Sequence, residues 1–141
     1  MKSLPNLATA LIFSAVSTAA LAQTCAPIEV RNVRLAQGSL MVVAYTSEAD
    51  FNKKPAAAVQ LKPTEETLSF SLCVPGNASS LALMMFQDLN DNGKMDSNIL
   101  GIPTEPWGSS GKVNPFGPPS WAGAMVSVPA DGKPVVVILS K

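Results

Sequence analysis

Short apolar runs of strand length recur along much of the chain. Between residues 68 and 74, leucine, phenylalanine and valine side chains alternate with serine and cysteine, as in a β-strand that has one face against a core. Six further apolar runs of similar length predict strands, and no long amphipathic helical pattern occurs in the sequence. These runs are Ile28–Leu35, Ser39–Thr46, Ala56–Leu61, Leu81–Gln87, Ala124–Val128 and Val135–Leu139.

Short turn signals separate these runs. Gln37-Gly38 and Asp131-Gly132 lie between apolar runs and predict hairpin turns. The apolar phase slips by one residue between Val30 and Val33, which predicts a β-bulge. About seven short strands with turns between them indicate an all-β fold, an antiparallel β-sandwich with Greek-key connections.

A long Pro/Gly-rich loop, residues 101–123, interrupts the strand pattern with five prolines and five glycines. Proline removes a ladder donor and glycine weakens a strand, so this segment is predicted to be irregular. Trp107, Phe116 and Trp121 favour an ordered flap, because large aromatic side chains gain most by packing. They either anchor the flap to the domain or line a surface for a partner, and the sequence leaves both interpretations open.

Residues 1–22 have the layout of a secretory signal peptide. Lys2 precedes an apolar stretch from Leu7 to Leu21, and Ala20-Leu21-Ala22 is a small-x-small cleavage site. An uncleaved membrane anchor and a lipoprotein attached at Cys25 are the alternatives, but the stretch is short for a membrane span. We therefore predict a secreted or periplasmic protein, cleaved after Ala22, with residues 23–141 forming a single domain.

The charge balance excludes several classes of function. Without Lys2 the chain has 9 basic and 10 acidic residues, a net charge of −1, and the basic residues are not clustered. Neither a nucleic acid nor a membrane surface is therefore expected as a partner after cleavage. There is no histidine in the chain, which removes Ser-His and Cys-His nucleophiles and most zinc sites.

The two cysteines of the chain, Cys25 and Cys73, are predicted to form a disulfide. An even number of cysteines in an exported chain is most simply explained by pairing. Cys73 lies on the serine face of its strand, so the bond is expected on the outside of the sheet, tying the N-terminal segment over it. Two unlinked thiols are the alternative.

The densest polar segment is the loop from Asp88 to Asp96, and it predicts a calcium site. It follows the D-x-[DN]-x-[DN]-G pattern of calcium loops, which places oxygen ligands at positions 1, 3, 5, 7 and 9. Position 12 is Ile99, where an EF-hand has a bidentate glutamate, so Asn98, Glu105 or the Ile99 carbonyl would have to close the site. The predicted ligands are the side chains of Asp88, Asn90, Asn92 and Asp96 and the carbonyl of Lys94.

Other interpretations of this loop remain open. Asn92-Gly93 is also a strong hairpin signal, so the loop could be a turn that binds no metal. Glu105 could pair with Asp88 or Asp96 for acid–base hydrolysis, although paired carboxylates alone are weak evidence for it. It could equally be a solvated charge or a side chain bound to backbone donors.

The same region carries a resemblance to a known family. The segments that carry it are Asp88-x-Asn90-x-Asn92-Gly93-Lys94-x-Asp96-x-Asn98, Gly101-Ile102-Pro103-x-Glu105-x-x-Gly108-x-Ser110 and Pro118-Pro119-Ser120-Trp121. They resemble a family of small exported bacterial proteins that is classed as a domain of unknown function. The resemblance spans nearly the whole mature chain and is specific in residues 88–121. The resemblance implies an Ig-like or transthyretin-like β domain without an assigned activity, and no functional residue carries over from it. Upstream, Gly38–Tyr45 followed by Phe51 is similar to the opening strands of that family.

Together these features predict an exported, non-catalytic binding or accessory module with a structural calcium ion. Its partner is expected to be a protein, peptide or glycan of the cell envelope. A structural envelope protein without a metal and a carboxylate-dependent hydrolase are the alternatives.

Overall fold

A computed structural model describes residues 21–112 and 117–140. Most of the predicted signal peptide, and Phe116, lie outside these residues. Within the described ranges the chain forms eight strands and one short helix. In chain order these are β1 (Gln23–Arg31), β2 (Ser39–Tyr45), β3 (Ala57–Leu61), β4 (Thr67–Pro75), β5 (Ser80–Asp88), β6 (Trp107–Ser109), α1 (Trp121–Ala124), β7 (Met125–Ser127) and β8 (Val135–Ile138).

The strands form two sheets packed face to face. One has the order β4-β1-β8, and the other has the order β3-β2-β5-β6, with β7 also paired to β5. The inward-facing side chains of both sheets form one buried core that includes Ile28, Leu40, Leu83 and Val137. The predicted all-β sandwich is therefore confirmed, whereas the Ig-like or transthyretin-like assignment and the Greek-key connections remain predictions.

The pairing of strands differs from the sequence prediction at both predicted hairpins. Gln37-Gly38 connects β1 to β2 and Asp131-Gly132 connects β7 to β8, and in both cases the two strands belong to different sheets. The turn residues were recognised correctly, but the strands they join do not pair. The antiparallel prediction also fails at one place, because β1 and β8 pair in parallel.

Two further predictions of local structure need correction. The slip between Val30 and Val33 is not a bulge: β1 ends at Arg31, and Asn32 turns the chain with a φ of 64°. The loop 101–123 is not irregular throughout, because it contains the three-residue strand β6 and the helix α1. The helix is capped by Ser120, whose hydroxyl accepts a hydrogen bond from the Gly123 N–H at 3.2 Å.

The predicted disulfide between Cys25 and Cys73 is present in the structure. The two cysteines lie directly opposite each other on the antiparallel strands β1 and β4, with both side chains on the outer face of the sheet. The sequence predicted that the bond would tie the N-terminal segment over the outside of the sheet, and this prediction is wrong because the N-terminal segment is itself a strand of that sheet. The bond links two neighbouring strands, of which β1 is the central strand of its sheet.

Candidate functional site

The Asp/Asn loop begins where β5 ends. Asp88 is the last residue of β5 and is only 1% exposed. Its carboxylate accepts hydrogen bonds from the backbone N–H groups of Asn92, at 3.1 Å, and Gly93, at 2.6 Å. Asp88 therefore folds the loop back over the end of its own strand. Asn92 and Gly93 do not form a tight hairpin turn: β5 and β6 pair, but the connection between them is long, residues 89–106, and the two residues lie inside it.

Three more of the predicted ligands contact one another. The side-chain amides of Asn90 and Asn92 donate hydrogen bonds to the two carboxylate oxygens of Asp96, at 2.7 and 3.0 Å. The amide oxygens face the backbone instead: that of Asn90 accepts from the Asn92 N–H, and that of Asn92 accepts from the Lys94 N–H. The loop thus brings its polar side chains at positions 3, 5 and 9 together in one hydrogen-bonded ring.

Glu105 joins the two ends of the loop. It is 5% exposed, and its carboxylate oxygens accept from the backbone N–H of Leu89, at 2.7 Å, and of Asp96, at 3.0 Å. Of the interpretations that the sequence left open, the structure supports the one in which Glu105 binds nearby backbone donors. Each of the two carboxylate oxygens thus accepts one backbone hydrogen bond.

We expect Glu105→Gln to lower the free energy of unfolding by about 2 kcal/mol. The amide can accept only one of the two backbone hydrogen bonds, and its NH₂ group then faces a partly buried N–H that has lost its acceptor. Urea unfolding measures the loss, and amide hydrogen exchange shows whether Leu89 and Asp96 lose protection. Glu65→Gln, at an exposed glutamate, is the control and should change stability by less than about 0.5 kcal/mol. Equal effects of the two substitutions would contradict the role assigned to Glu105.

Asp91 lies in the same loop but its side chain has different partners. Its carboxylate accepts from the Ser39 hydroxyl at 2.6 Å and from the Lys62 ammonium at 3.3 Å. The Ser39 hydrogen bond, and then Lys62, hold the pKa of Asp91 below its usual value. Asp91 thus attaches the loop to β2 and has no hydrogen bond to the ring formed by Asn90, Asn92 and Asp96.

Asn98, an additional candidate ligand, shapes the far end of the connection. Its side-chain oxygen accepts from the backbone N–H groups of Leu100 and Ile102, at 2.9 and 3.0 Å. Ser97 and Pro103, on either side of this turn, form an isolated antiparallel bridge. Residues 97–103 therefore form a small turn, which we call the tip. Asn98 organises the tip, and it does not take part in the ring.

Gln87, a buried polar residue that the sequence analysis did not single out, supports the base of the loop. Gln87 is fully buried; its amide donates to the carbonyls of Arg34 and Gln37, at 2.6 and 2.7 Å, and accepts from the Arg34 N–H at 2.8 Å. It holds the β1–β2 connection against the end of β5. In the sequence, Gln87 stands out only as a polar residue at the end of an apolar run, and this position does not reveal which groups its side chain binds.

The aromatic residues of the predicted flap have separate roles. Trp121, on α1, packs edge to face against Phe51 with ring centroids 5.9 Å apart, and Phe51 packs in the same way on Tyr45. Trp107, on β6, is half-buried and exchanges hydrogen bonds with Ser140. Trp121 therefore anchors the flap, whereas Trp107 lines a surface cavity. Phe116, the third residue of this predicted surface, lies outside the described residues.

An apolar groove crosses the outer face of the sheet that contains β5. It consists of two neighbouring cavities of about 470 and 590 Å³, which share Met84 and Met95. The outer face of a sandwich is normally polar, so this surface is unusual. The side chains that define the groove are Met41, Val43, Met84, Phe86, Met95 and Trp107.

The described residues contain no group of three or more histidine, cysteine, aspartate or glutamate side chains placed to hold a metal ion. A cation at the loop would therefore depend on asparagine and carbonyl oxygens as well as carboxylates. These are ligands that suit calcium better than a transition metal. Within 21–112 and 117–140, none of the helical structure has the length and apolar character needed to cross a bilayer.

The fold and the loop define a small β-sandwich protein with a polar loop at one end of the strands of its larger sheet. Residues 28–136 match the model of a family described as "Uncharacterized protein conserved in bacteria (DUF2141)". The chain belongs to this family, since the match covers more than half of its length. Neither the curated proteins nor the solved structures include a match to the chain.

Proposed function

We propose that the protein is an exported, non-catalytic binding module whose Asp88–Asp96 loop takes up a structural calcium ion. The observation that carries the proposal is the convergence of positions 3, 5 and 9 of the loop, Asn90, Asn92 and Asp96, in one ring. Position 1, Asp88, is buried beneath them and holds the loop in shape. The disulfide supports export, because such bonds persist in oxidising compartments.

The charge of the loop also supports a cation. Among the described residues, the ion pairs are Arg31–Glu29, Lys62–Asp91 and Lys133–Asp131. None of them involves Asp88, Asp96 or Glu105. Carboxylates that are buried or close together are stabilised by a positive charge, and a calcium ion would supply it.

The alternative, a structural protein whose loop binds no metal, also has an observation in its favour. The hydrogen bonds of the loop are complete without an ion, and no buried side-chain nitrogen or oxygen among the described residues lacks a partner. To bind calcium, the amides of Asn90 and Asn92 would turn their oxygens toward Asp96. Each would then give up a backbone hydrogen bond, a loss that the ion must offset.

Thermal unfolding in calcium and in chelator separates the two functions. At 100 times the dissociation constant, calcium should stabilise the protein by about 2.7 kcal/mol, which raises the melting temperature by several degrees. Asp96→Asn should abolish most of this shift, because the ring of Asn90, Asn92 and Asp96 loses its carboxylate. Magnesium should produce a smaller shift, since it rarely binds in sites made only of protein ligands.

Asp91→Asn is the matched control, because it makes the same chemical change in the same loop. The Asp91 side chain points to Ser39 and Lys62, so this variant should keep the calcium-dependent shift even if its own stability changes. If wild-type protein melts at the same temperature in calcium and in chelator, the loop is a metal-free structural element.

A further inference from the structure

Asn92 and Gly93 form the one asparagine–glycine pair in the chain, and both residues are exposed to solvent. Nothing lies within 4 Å of the position that a Cβ on Gly93 would occupy. Because glycine has no side chain and this space is open, another group can approach the backbone nitrogen of Gly93 closely. The nearest such group along the chain is the carboxamide of Asn92.

The side chain of Asn92 folds back over the backbone that follows it. Its Oδ1 accepts a hydrogen bond from the Lys94 N–H at 2.8 Å, which closes an Asx turn around Gly93. The turn brings the carboxamide carbon of Asn92 toward the Gly93 nitrogen, since both atoms belong to the small ring that this hydrogen bond closes. The Lys94 N–H also polarises the carboxamide carbonyl and stabilises negative charge that develops on its oxygen.

Asp88 places a proton acceptor at the Gly93 nitrogen. The Gly93 N–H donates to Oδ2 of Asp88 at 2.6 Å. A carboxylate within hydrogen-bond reach of a nitrogen can take its proton as that nitrogen attacks a carbonyl carbon. Asp88 is 1% exposed, and its Oδ1 accepts from the Asn92 N–H, so the carboxylate is held in position. One turn therefore combines a nucleophile, a polarised carbonyl and a base.

We propose that Asn92 is a site of self-catalysed deamidation. The Gly93 nitrogen attacks Cγ of Asn92 and passes its proton to Asp88, a new C–N bond forms, and the Cγ–Nδ2 bond breaks. The Nδ2 group takes up that proton and leaves as ammonia, and a five-membered succinimide ring remains. Water then opens the ring at either carbonyl and leaves aspartate or isoaspartate at position 92. One water is consumed and one ammonia released, and this modification is separate from the proposed binding function.

Asn90 and Asn98 are internal controls, because they form the same type of turn. Their Oδ1 atoms accept from the N–H two residues further on, at 3.2 and 2.9 Å. The residues that follow them, Asp91 and Ile99, have side chains that hinder closure of a succinimide ring. Within residues 21–112 and 117–140, no carboxylate accepts from the N–H of Asp91 or Ile99. The proposal therefore predicts rapid deamidation at Asn92 and not at the other two.

The test is an incubation of the purified protein near neutral pH, in chelator and in water labelled with heavy oxygen, followed by peptide mapping with mass spectrometry. The label enters when water opens the succinimide, so deamidation during later digestion is not counted. Labelled aspartate and isoaspartate should accumulate at Asn92, while Asn90 and Asn98 stay unmodified. The conversion should be at least about tenfold faster in folded protein than in urea, because the unfolded chain keeps the dipeptide but loses its contact with Asp88.

Two variants test the assigned roles, each with a matched control. Asp88→Asn should slow the conversion because it removes the proton acceptor, whereas Asp91→Asn, the same change at a carboxylate that binds Ser39, should keep the wild-type rate. Gly93→Ala should slow it because a methyl group then lies beside the attacking nitrogen. Gly132→Ala places a methyl in equally open space at a similar φ and should not affect the rate. Circular dichroism shows that each variant is folded.

Three results would overturn the proposal. The first is an Asn92 that stays unmodified or is converted no faster in the folded protein than in urea. The second is conversion of Asn90 or Asn98 at the same rate as Asn92. The third is a folded Gly93→Ala variant that reacts as fast as wild type. Because every measurement is made in chelator, failure here is separate from failure of the calcium site.

Discussion

Gly38→Ala is expected to lower the free energy of unfolding by more than about 4 kcal/mol or to prevent folding. Gly38 has a φ of +60°, which alone costs an alanine about 1–2 kcal/mol. A Cβ at this position would also lie 1.7 Å from the carbonyl oxygen of Asp88 and 2.8 Å from the Cα of Leu89. Those atoms belong to backbone at the start of the Asp/Asn loop, so they cannot move without disturbing both β5 and the loop.

Gly132→Ala is the matched control for this prediction. Gly132 has a φ of +72°, but nothing lies within 4 Å of an added Cβ. Urea unfolding should therefore show a loss of only about 1–2 kcal/mol for Gly132→Ala. If the two substitutions cost the same, the close contact between Gly38 and Asp88 is not as the structure describes it.

Replacing both Cys25 and Cys73 with serine is expected to cost about 4 kcal/mol. The bond closes a loop with a sequence separation of 48 residues, and in the chain-entropy model its removal restores that freedom to the unfolded chain. The bond also fixes the register of β4 against β1, the central strand of its sheet.

Denaturant unfolding of the oxidised protein and of the double variant measures this cost. Ser69→Ala, on the same outer face of β4, should change stability by less than about 0.5 kcal/mol. A double variant within about 1 kcal/mol of wild type would indicate that the strands alone determine the register and that the disulfide adds little.

The sequence predicted the strands well because their signal is local. Alternation in residues 68–74 and apolar runs elsewhere located seven of the eight strands, and the cysteine pair was confirmed. The strand β6 was missed because it has three residues and lies among prolines and glycines. The sequence did not predict the pairing of the strands that flank Gln37-Gly38 and Asp131-Gly132. A turn dipeptide indicates that the chain reverses, but it does not indicate whether the next strand joins the same sheet or the other one.

The candidate site was predictable in outline only. The Asp/Asn pattern located the loop, and the structure brings Asn90, Asn92 and Asp96 together. The binding of Glu105 to the N–H groups of Leu89 and Asp96 was one of several open interpretations, because glutamate is rarely buried and its donors are distant in sequence. The groove was not predicted at all, since outward apolar residues look like core residues in a one-dimensional pattern.

The attachment of the connection 89–106 at its base has a consequence for how the protein can change. Asp88 and Glu105 fasten the connection where it leaves the sandwich, whereas Ile99 and Leu100 at its outer end contribute little to the buried core. New sequences could therefore replace that outer end while the scaffold keeps its stability. Such replacements would change the exposed surface at this end of the protein and leave the two sheets and their core as they are.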